Sequence, residues 1–314
     1  FGLWNGLLTG NFDYFYESRT DILTQYLTRP QWVGVVMAAG NLGKTKNQGV
    51  ELELKHNNRI GKDFYYNVGF TFSHARNEIL DMDEPDAKTG YRKQEGHPIN
   101  QYFGLIFVTQ ADLDNPNFPK TTYGNVQVGD LKYRDMNGDG FIDDRDETFI
   151  GYSDIPENTY ALTLGAQWKG IGFSVMFQGV DHVSRFYDAE AMFAFVNGGK
   201  VKEHHLGRWN PAMSEEYNLA NATYPLLHYD SFVTHNQRQN SFFLKNGAFL
   251  RLKNIELSYS LPQSWIKKAA MKECRIYVNA SNLVTWDHLG GLTDPESNGS
   301  NRYPIMKTVN FGVN

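Results

Sequence analysis

The chain has 314 residues and a net charge of −5, with charges of both signs making up 21% of the sequence. Without a basic surplus, no nucleic-acid partner is expected. The single cysteine, Cys274, excludes an internal disulfide framework and a zinc site built from several cysteines. Aromatic residues reach 14% and glycine occurs 29 times, a mixture of strand-forming and turn-forming residues that favours β structure.

Alternation of apolar and polar residues predicts strands along the whole chain. The strongest pattern places Phe64, Phe70 and Phe72 on one face and Thr71 and Ser73 on the other. Predicted strands, in chain order, cover 8–16, 50–55, 64–73, 160–169, 171–177, 249–259, 275–286 and the last residues around Phe311. Short helices are predicted over 188–205 and 265–272. The predicted connections are 18–47, 56–63, 77–158, the tight turn at Lys169-Gly170, 181–247, the segment after Pro262, and 289–303.

The lengths of these connections alternate between long and short. In an antiparallel meander, this sorts all long loops to one end, as in outer-membrane barrels. A soluble sandwich has no reason to sort its loops in this way. Each strand also has one face rich in Phe, Tyr, Leu, Val and Ile and an opposite face rich in Thr, Ser, Asn, Gln, Glu and Lys, which is typical of a wall between lipid and a wet lumen.

No apolar run approaches the roughly 18 residues that a membrane helix needs. In hydrocarbon the backbone must be fully paired, so a chain of this kind crosses a membrane only as a closed barrel. The predicted fold class is therefore all-β, an antiparallel transmembrane β-barrel with long extracellular loops. Aromatic residues near strand ends suit the interfacial girdles of such a barrel: Tyr14, Tyr16, Tyr66, Tyr160 and Trp168.

The segment from Asp135 to Asp146, called the acidic loop below, has the spacing of a calcium-binding loop. Hard cations prefer oxygen ligands, and the clustered carboxylates repel one another without a cation. The alternative is an Asx-rich β-turn that holds no ion. The candidate ligands are Asp135, Asn137 and Asp139 at positions one, three and five, the carbonyl of Phe141 at seven, Asp143 at nine and Asp146 at twelve, where a Glu is usual, with Gly140 at the sharp turn.

The other candidate sites rest on weaker sequence signals. The pair His204-His205 beside Glu203 has metal-ligating residues, but adjacent side chains diverge, so solvated loop residues are the favoured reading. Trp32 and Trp209 lie in long loops, where they either stack on sugars, contact a partner or pack within the loop. The chain has no G-x-S-x-G, H-E-x-x-H or phosphate-loop motif. An enzyme is not predicted.

Several short blocks, taken in order, resemble the C-terminal part of SusC/RagA-type TonB-dependent outer-membrane transporters of Bacteroidetes. Each block is weak alone, and together they cover nearly the whole chain. They are Asn47-x-Gly49-Val50-Glu51-Leu52, Gly96-His97-Pro98 with Tyr102-Phe103-Gly104, Gly129-Asp130-Leu131-Lys132-Tyr133, Asn137-Gly138-Asp139-Gly140, Phe177-Gln178-Gly179, Phe249-Leu250-Arg251-Leu252-Lys253-Asn254, Arg275-Ile276-Tyr277-Val278, Asn282-Leu283-x-Thr285 and Asp294-Pro295-Glu296.

The resemblance implies a barrel of about 22 strands with a plugged lumen. It implies a SusD-like surface lipoprotein as a lid on the outer loops, energy supplied through TonB, and cargo that is oligosaccharide or, in some members, peptide. Residues 1–314 are then the C-terminal part of the barrel. The plug and the TonB-contact segment are expected outside this chain, because the sequence opens at Phe1 without a leader and stops inside an alternating segment.

The functional hypothesis is active import of glycan fragments across the outer membrane. Asn67, Thr71, Thr163 and Gln167 are expected to line the route, and loops 77–157 and 182–247 to meet the lid or the cargo. A peptide importer of the same family, a passive porin and a soluble secreted glycan-binding β-sandwich with a calcium site remain alternatives. The sandwich predicts an apolar face that is buried between two sheets.

Overall fold

A computed structural model describes residues 1–28, 34, 38–85, 89–108, 119–124, 126–187, 192–229, 234–267, 271–297 and 303–314. The strands are β1 (Gly2–Leu3), β2 (Leu8–Thr24), β3 (Gly40–Ile60), β4 (Phe64–Asp81), β5 (Gln101–Gly104), β6 (Lys120–Thr121), β7 (Phe141–Ile142), β8 (Thr148–Ser153), β9 (Asn158–Trp168), β10 (Ile171–Asp181), β11 (Ser184–Phe186), β12 (Leu244–Asn246), β13 (Phe249–Ser260), β14 (Arg275–Asp287) and β15 (Thr308–Val313). The α-helices are α1 (Glu215–Asn221), α2 (Thr234–Gln237) and α3 (Gln263–Ile266), and 3₁₀ segments lie at Gly90–Arg92, Asp144–Asp146, Val196–Gly198 and Glu203–Gly207.

Nine strands form one antiparallel sheet in the order β1-β2-β3-β4-β9-β10-β13-β14-β15, which preserves their order along the chain. This sheet is called the wall. The meander predicted from the alternation is confirmed. The connections at 61–63, 169–170 and 261–274 are at one end of the wall, and those at 25–39, 82–157, 182–248 and 288–307 are at the other, so the predicted sorting of the loops is confirmed too.

The two faces of the wall have opposite character. Cross-strand register places Leu54, Phe70 and Leu162 in one row on the outer face, and this face is exposed, as Phe12 at 63% and Leu257 at 52% show. In the described residues no second sheet covers it. The β-sandwich expectation is wrong, because that fold would bury these side chains between layers.

Aromatic side chains mark the two ends of the outer face. Tyr14 and Tyr160 lie towards the long loops, while Tyr66 and Trp168 lie towards the short turns. The eight steps from Tyr160 to Trp168 rise about 27 Å along the strand. With a tilt of about 40° this becomes about 20 Å, comparable with the roughly 25 Å apolar band of outer-membrane barrels. The predicted girdle residues therefore stand where two membrane interfaces would lie.

Three strand pairs place an aromatic ring over a glycine. The pairs are Phe15 with Gly49, Tyr160 with Gly179, and Tyr277 with Gly312, each in direct cross-strand register. In each pair the ring fills the space that a Cβ on the glycine would need. Such packing covers a backbone that glycine leaves bare and helps to fix the register.

Strands β2, β3 and β4 have 17, 21 and 18 residues, well beyond the roughly 9–11 needed to span a membrane. The predicted loop 18–47 was therefore too long, and so were the predicted turn 56–63 and the loop that was predicted to begin at residue 77. Above the apolar band both faces of the strands meet water, so the alternation that predicts a strand disappears. Ion pairs replace it there, such as Lys44 with Asp81 and Lys46 with Glu78.

The predicted helices are shorter in the structure. The helix expected over 265–272 is only α3, which ends at Ile266, and residues 268–270 lie outside the described residues. In the helix expected over 188–205, Met192 is helical, 188–191 lie outside the described residues, and 3₁₀ segments follow at Val196–Gly198 and Glu203–Gly207. Phe195 and Asn197 have positive φ angles of 67° and 50°, which an α-helix does not allow.

The long connections pack together into a unit with its own core, called the loop assembly. Its buried apolar residues come from three connections that are far apart in sequence. Each of the small two-stranded sheets lies within one connection: β5-β8 and β6-β7 in 82–157, and β11-β12 in 182–248. The core consists of Leu105, Leu131, Tyr133, Ile142, Tyr187, Met192, Phe193, Tyr224, Phe243 and Leu289.

Among the described residues, no helix combines the length and the apolar character that crossing a membrane requires.

Candidate functional site: inner wall and loop assembly

The inner face of the wall carries the residues that the sequence predicted for a route. Asn67 pairs with Gly165, Thr71 with Ala161 and Gln167 with Tyr65, and Thr163 pairs with Gly69. These positions alternate with the apolar outer residues, so all four predicted residues share the polar face, as expected. Their neighbours on β2 and β3 include Asn11, hydrogen-bonded to Glu53 at 3.2 Å.

A cleft of about 310 Å³ lies on this inner face at the loop end of β2, β3 and β4. One side is polar, with Glu17, Arg19 and Asn47, and the guanidinium of Arg19 lies 2.8 Å from the carboxylate of Glu17. The other side is apolar, with Ile99 and Ile155 from the connection 82–157. A cleft with amide, charged and apolar groups suits a flexible polar ligand.

The loop assembly is tied together by a buried carboxylate. Asp130 is 4% exposed. Its oxygens accept hydrogen bonds from the ring of His228 at 2.5 Å, the amide of Asn236 at 2.8 Å and the backbone N–H of Gln127 at 2.8 Å. A buried carboxylate is stable only with such partners. Asp130 therefore joins the connection 82–157 to the connection 182–248.

A buried histidine, His235, also links these two connections. His235 donates from Nε2 to the carbonyl of Leu131 at 2.6 Å, and Tyr133 donates to the carbonyl of His235 at 2.8 Å. Burial holds the pKa of His235 below its ordinary value and raises the pKa of Tyr133. Both groups are therefore neutral in the folded loops.

The adjacent histidines do not form a metal site in this arrangement, and the expectation of solvated side chains is wrong for His205. Its ring is fully buried, with Nδ1 accepting from the N–H of Lys202 at 2.8 Å and Nε2 donating to the carbonyl of Met192 at 2.8 Å. His204 also reaches the Met192 carbonyl, at 3.4 Å. Burial lowers the pKa of both rings, and both serve to pack the loop.

Trp209 packs within the loop assembly. It is buried, and its indole occupies the space beside Gly129, whose φ of +100° also favours glycine. Its low exposure, 6%, supports the prediction that Trp209 packs within the loop over the prediction that it stacks on sugars. Trp32 lies outside the described residues.

The acidic loop is folded by its own carboxylates. Asp135 accepts from the N–H groups of Gly138 and Gly140, at 2.6 and 2.8 Å. Asn137 accepts from Asp139 N–H at 2.8 Å, and Asp139 from Phe141 N–H at 2.9 Å. These Asx turns place the oxygens at the intervals that the sequence predicted.

The end of the acidic loop is capped rather than open. Asp146 is fully buried, and its two oxygens accept from the N–H groups of Met136 and Asp143 at 2.9 and 2.8 Å. The guanidinium of Arg145 lies 2.7 Å from both Asp139 and Asp143, and its hydrogen bond lowers the pKa of Asp143. In the described part of the chain, no three acidic, histidine or cysteine side chains converge as metal ligands.

The donor set fits a hard cation in chemistry and spacing. Each carboxylate oxygen that accepts one N–H retains a second lone pair. Arg145 supplies the positive charge in the arrangement seen, so a calcium ion would have to displace its guanidinium from Asp139 and Asp143. The calcium site stays a prediction.

One group of functional residues was missed from the sequence. Arg251 and Lys253 on β13 pair with Asp294 and Glu296 in the connection 288–307. Segment 249–259 was predicted as an alternating strand, but the register shifts between Leu252 and Asn254. The consecutive polar residues Lys253 and Asn254 were the available signal, because two adjacent polar residues in an alternating strand indicate a bulge.

A profile of the family described as "TonB dependent receptor-like, beta-barrel" matches residues 2–283. The chain belongs to this family. Like other TonB-dependent receptor barrels, it is located in the bacterial outer membrane, and the predicted barrel fold is confirmed. This also supports the resemblance to SusC/RagA-type proteins stated above.

Relatives of this TonB-dependent receptor chain come from Formosa agariphila and Bacteroides thetaiotaomicron. It is 25% identical to TonB-dependent receptor P3 of Formosa agariphila over 329 residues, which cover 99% of this chain and 31% of the relative. It is 23% identical to TonB-dependent receptor SusC of Bacteroides thetaiotaomicron over 330 residues, covering 100% of this chain and 30% of the relative. The chain thus spans less than a third of the length of these two relatives.

Solved structures share the fold. The RagAB peptide importer in its open-open state aligns with a TM-score of 0.72 and 23% identity over 99% of this chain and 33% of that chain. Its closed-closed state aligns with a TM-score of 0.69 and 25% identity over 99% of this chain and 34% of that chain. This chain is therefore similar in fold to about one third of each of those chains.

Proposed function

We propose that this chain forms part of the barrel of an active outer-membrane importer. The observation that carries the proposal is the two-faced wall, with a continuous apolar outer face, a polar inner face and all long connections at one end. Lipid covers the outer face, and cargo passes along the inner face. The open sheet needs further strands to close, since a lipid-exposed sheet edge is not tolerated.

The proposed cargo is an oligosaccharide. Asn47 and the Glu17–Arg19 pair in the inner cleft supply the planar amide and charged groups that hydrogen-bond sugar hydroxyls, and Ile99 and Ile155 supply an apolar surface. Peptide is the second candidate, favoured by the likeness to the RagAB peptide importer. A peptide would use the same carboxylate and guanidinium for its termini.

The proposed partners are a SusD-like lipoprotein that covers the loop assembly, and the TonB complex acting through parts of the protein outside this chain. The loop assembly supports a docking partner because its packed core gives it a fixed shape. A passive porin needs neither partner, so energy dependence separates the two functions.

Uptake by living cells tests this proposal. Cells that carry the complete protein should accumulate a labelled oligosaccharide or peptide series, and loss of TonB should abolish the accumulation. Replacing Glu17 and Arg19 together by alanine should reduce uptake severalfold, whereas Arg59→Ala, exposed near the short-turn end of β3, should not. Uptake that continues without TonB would identify a porin, and uptake of peptides alone would identify the second candidate.

The acidic loop is proposed to face the cell exterior, since it belongs to a long connection. A protease site inserted after Gly138 should be cut on intact cells. Cleavage only after the outer membrane is opened would place the long loops in the periplasm and reverse the proposed orientation.

We also propose that the acidic loop binds calcium through Asp135, Asn137, Asp139, Asp143, Asp146 and the carbonyl of Phe141. Its role would be to stiffen the loop rather than to do chemistry. The Asx turns support this, because they position the oxygens at calcium-loop intervals before an ion arrives.

A further inference from the structure

A buried ion cluster joins the wall to the last long connection. Arg251 is 1% exposed. Its Nη2 donates to both carboxylate oxygens of Asp294, at 2.8 and 2.7 Å, and its Nη1 lies 2.7 Å from Glu296. Lys253 contacts the same Glu296 at 3.2 Å. Two cations of the wall thus hold two carboxylates of the connection.

A β-bulge lets both cations lie on the inner face without turning the apolar residues after them inward. Register places Arg251 opposite Gln178 and Thr285, which belong to the polar face. In the pairing with β10, Lys253 is the extra residue of the bulge, between Leu252 and Asn254. Strict alternation after Lys253 would turn Ile255 inward, and the bulge restores it to the outer face. The bulge therefore serves the lipid face and the ion cluster together.

The connection is anchored at a second point. Leu289 is buried in the core of the loop assembly, and Pro295 is fully buried. The chain turns around Pro295, with Glu296 N–H donating to the Asp294 side chain and Ser297 N–H to the Asp294 carbonyl, both at 2.9 Å. Residues 289–297, called the strap, are thus fixed to the loop core at one end and to the inner wall at the other.

The ion pairs of the cluster hold the strap in a fixed position and do not exchange partners. Its two positive and two negative charges balance, and the charge-assisted hydrogen bonds from Nη2 of Arg251 to Asp294 are stronger than those between neutral groups. Loss of Arg251 would leave Asp294, whose side chain is 12% exposed, without its ion pair, which is unfavourable. The strap is therefore held in one position while the rest of the cluster is intact.

We propose that the strap narrows the passage at its outer mouth, that Arg251 is the residue that positions it, and that the strap sets the largest cargo that passes. This rests on the proposed function, because it takes the inner face of the wall as the side of the passage. Arg251 acts through the strap and need not touch the cargo.

Cysteine labelling of the complete protein with its partners in outer membranes tests the position of the strap. Ser297→Cys, at a site that is 7% exposed, is introduced together with Cys274→Ser. A membrane-impermeant maleimide should label it slowly, and Arg251→Leu should raise the rate at least tenfold. Arg251→Lys should restore part of the protection, because an ammonium still reaches a carboxylate.

Matched variants separate the strap from general damage. Arg275 pairs with Glu256 on the same inner face without contacting the strap, so Arg275→Leu should leave the labelling rate unchanged. If Arg251→Leu fails to assemble, as seen by loss of heat-modifiable migration, the double change Asp294→Asn with Glu296→Gln removes the carboxylates instead. An unchanged labelling rate in the folded variants would overturn the proposal that Arg251 positions the strap.

A size series of hydrophilic solutes tests the passage. Arg251→Leu should admit solutes that the native protein excludes, and Arg275→Leu should not. If labelling rises while the size limit stays the same, the strap does not set that limit and this part of the proposal is overturned. If the native protein imports nothing, the proposed function fails, whereas the labelling still decides the position of the strap.

Discussion

In the wall, large apolar side chains face outward, and Phe311 is 83% exposed. In the loop assembly, Leu105 and Phe243 are fully buried. The wall is stabilised by a continuous backbone ladder and needs an apolar surrounding, while the loops pack around a core as a small soluble domain does. One chain therefore contains two regions with opposite solvents, and a given substitution should affect each of them differently.

The largest loss of stability is expected from a substitution in the core of the loop assembly. Phe243 contacts Phe193 and Phe242 with ring centroids 5.0 Å away, so Phe243→Ala should leave a cavity and destabilise the loops by about 3–5 kcal/mol. Hydrogen exchange should accelerate in residues 119–150 and 192–229 but not in β9 or β10. The control is Phe311→Ala on the exposed outer face. Faster exchange throughout the wall would mean that the two regions are not independent.

The next effect is confined to the wall. Leu164 lies midway along β9 on the outer face, and Leu164→Arg should destabilise the barrel by about 2–4 kcal/mol in a phospholipid bilayer. Thr163→Arg, one residue away on the inner face, should lower the free energy of unfolding only slightly. Unfolding by urea from phospholipid vesicles measures both variants. Equal costs for the two would contradict the assignment of faces.

A smaller effect is expected from pH in the loop assembly. Burial holds the pKa of His205 and His235 below the ordinary value of about 6.5. Opened loops therefore bind more protons, and stability present above about pH 6.5 is lost as the pH falls below it. Loop hydrogen exchange, corrected for its intrinsic rate, should rise between pH 7.5 and 5.5.

Two variants sharpen this comparison. His205→Gln removes one titrating ring and should flatten the pH response of the loops, since glutamine stays neutral. His56→Gln, in the wall beside Tyr66 at 2.9 Å, should leave the response of the loops as it was. A response that is the same in all three proteins would exclude the buried ring as its cause.

The smallest change in free energy is expected from calcium binding to the acidic loop. The ion would replace Arg145 as the positive charge near Asp139 and Asp143, so most of its binding energy is offset by the loss of existing contacts. Titration calorimetry of the complete protein should show calcium binding that Asp135→Ala weakens and that Arg145→Ala strengthens. An absence of binding in the Arg145→Ala variant would end the calcium proposal.

The sequence predicted the wall well because lipid and lumen impose a strict period of two on each strand. The alternation from Phe64 to Ser73 and the turn at Lys169-Gly170 needed no other information. The strand extensions were missed because the alternation ends where Ser18 to Thr24 leave the apolar band. There the backbone ladder continues with register shifts, and the side chains no longer alternate, since Arg19 to Asp21 are polar and Ile22 and Leu23 are both apolar.

The loop assembly was much less predictable. Leu105, Leu131 and Phe243 form one core, but no periodicity links residues so far apart in sequence. The same is true of Arg251 and Asp294, which are 43 residues apart. The spacing of the acidic loop could be predicted from the sequence because its contacts are local. The burial of Asp146 could not be predicted, because it depends on how the surrounding loops pack.

A spin-label scan of residues 160–168, one position at a time in a bilayer, tests the central claim most directly. The account predicts that even-numbered positions such as Leu162 and Leu164 are reached by lipid-soluble oxygen, and odd-numbered positions such as Thr163 and Gln167 by a water-soluble nickel complex. Accessibility without a period of two, or with the two phases exchanged, would contradict the assignment of the apolar face to lipid and of the polar face to a passage.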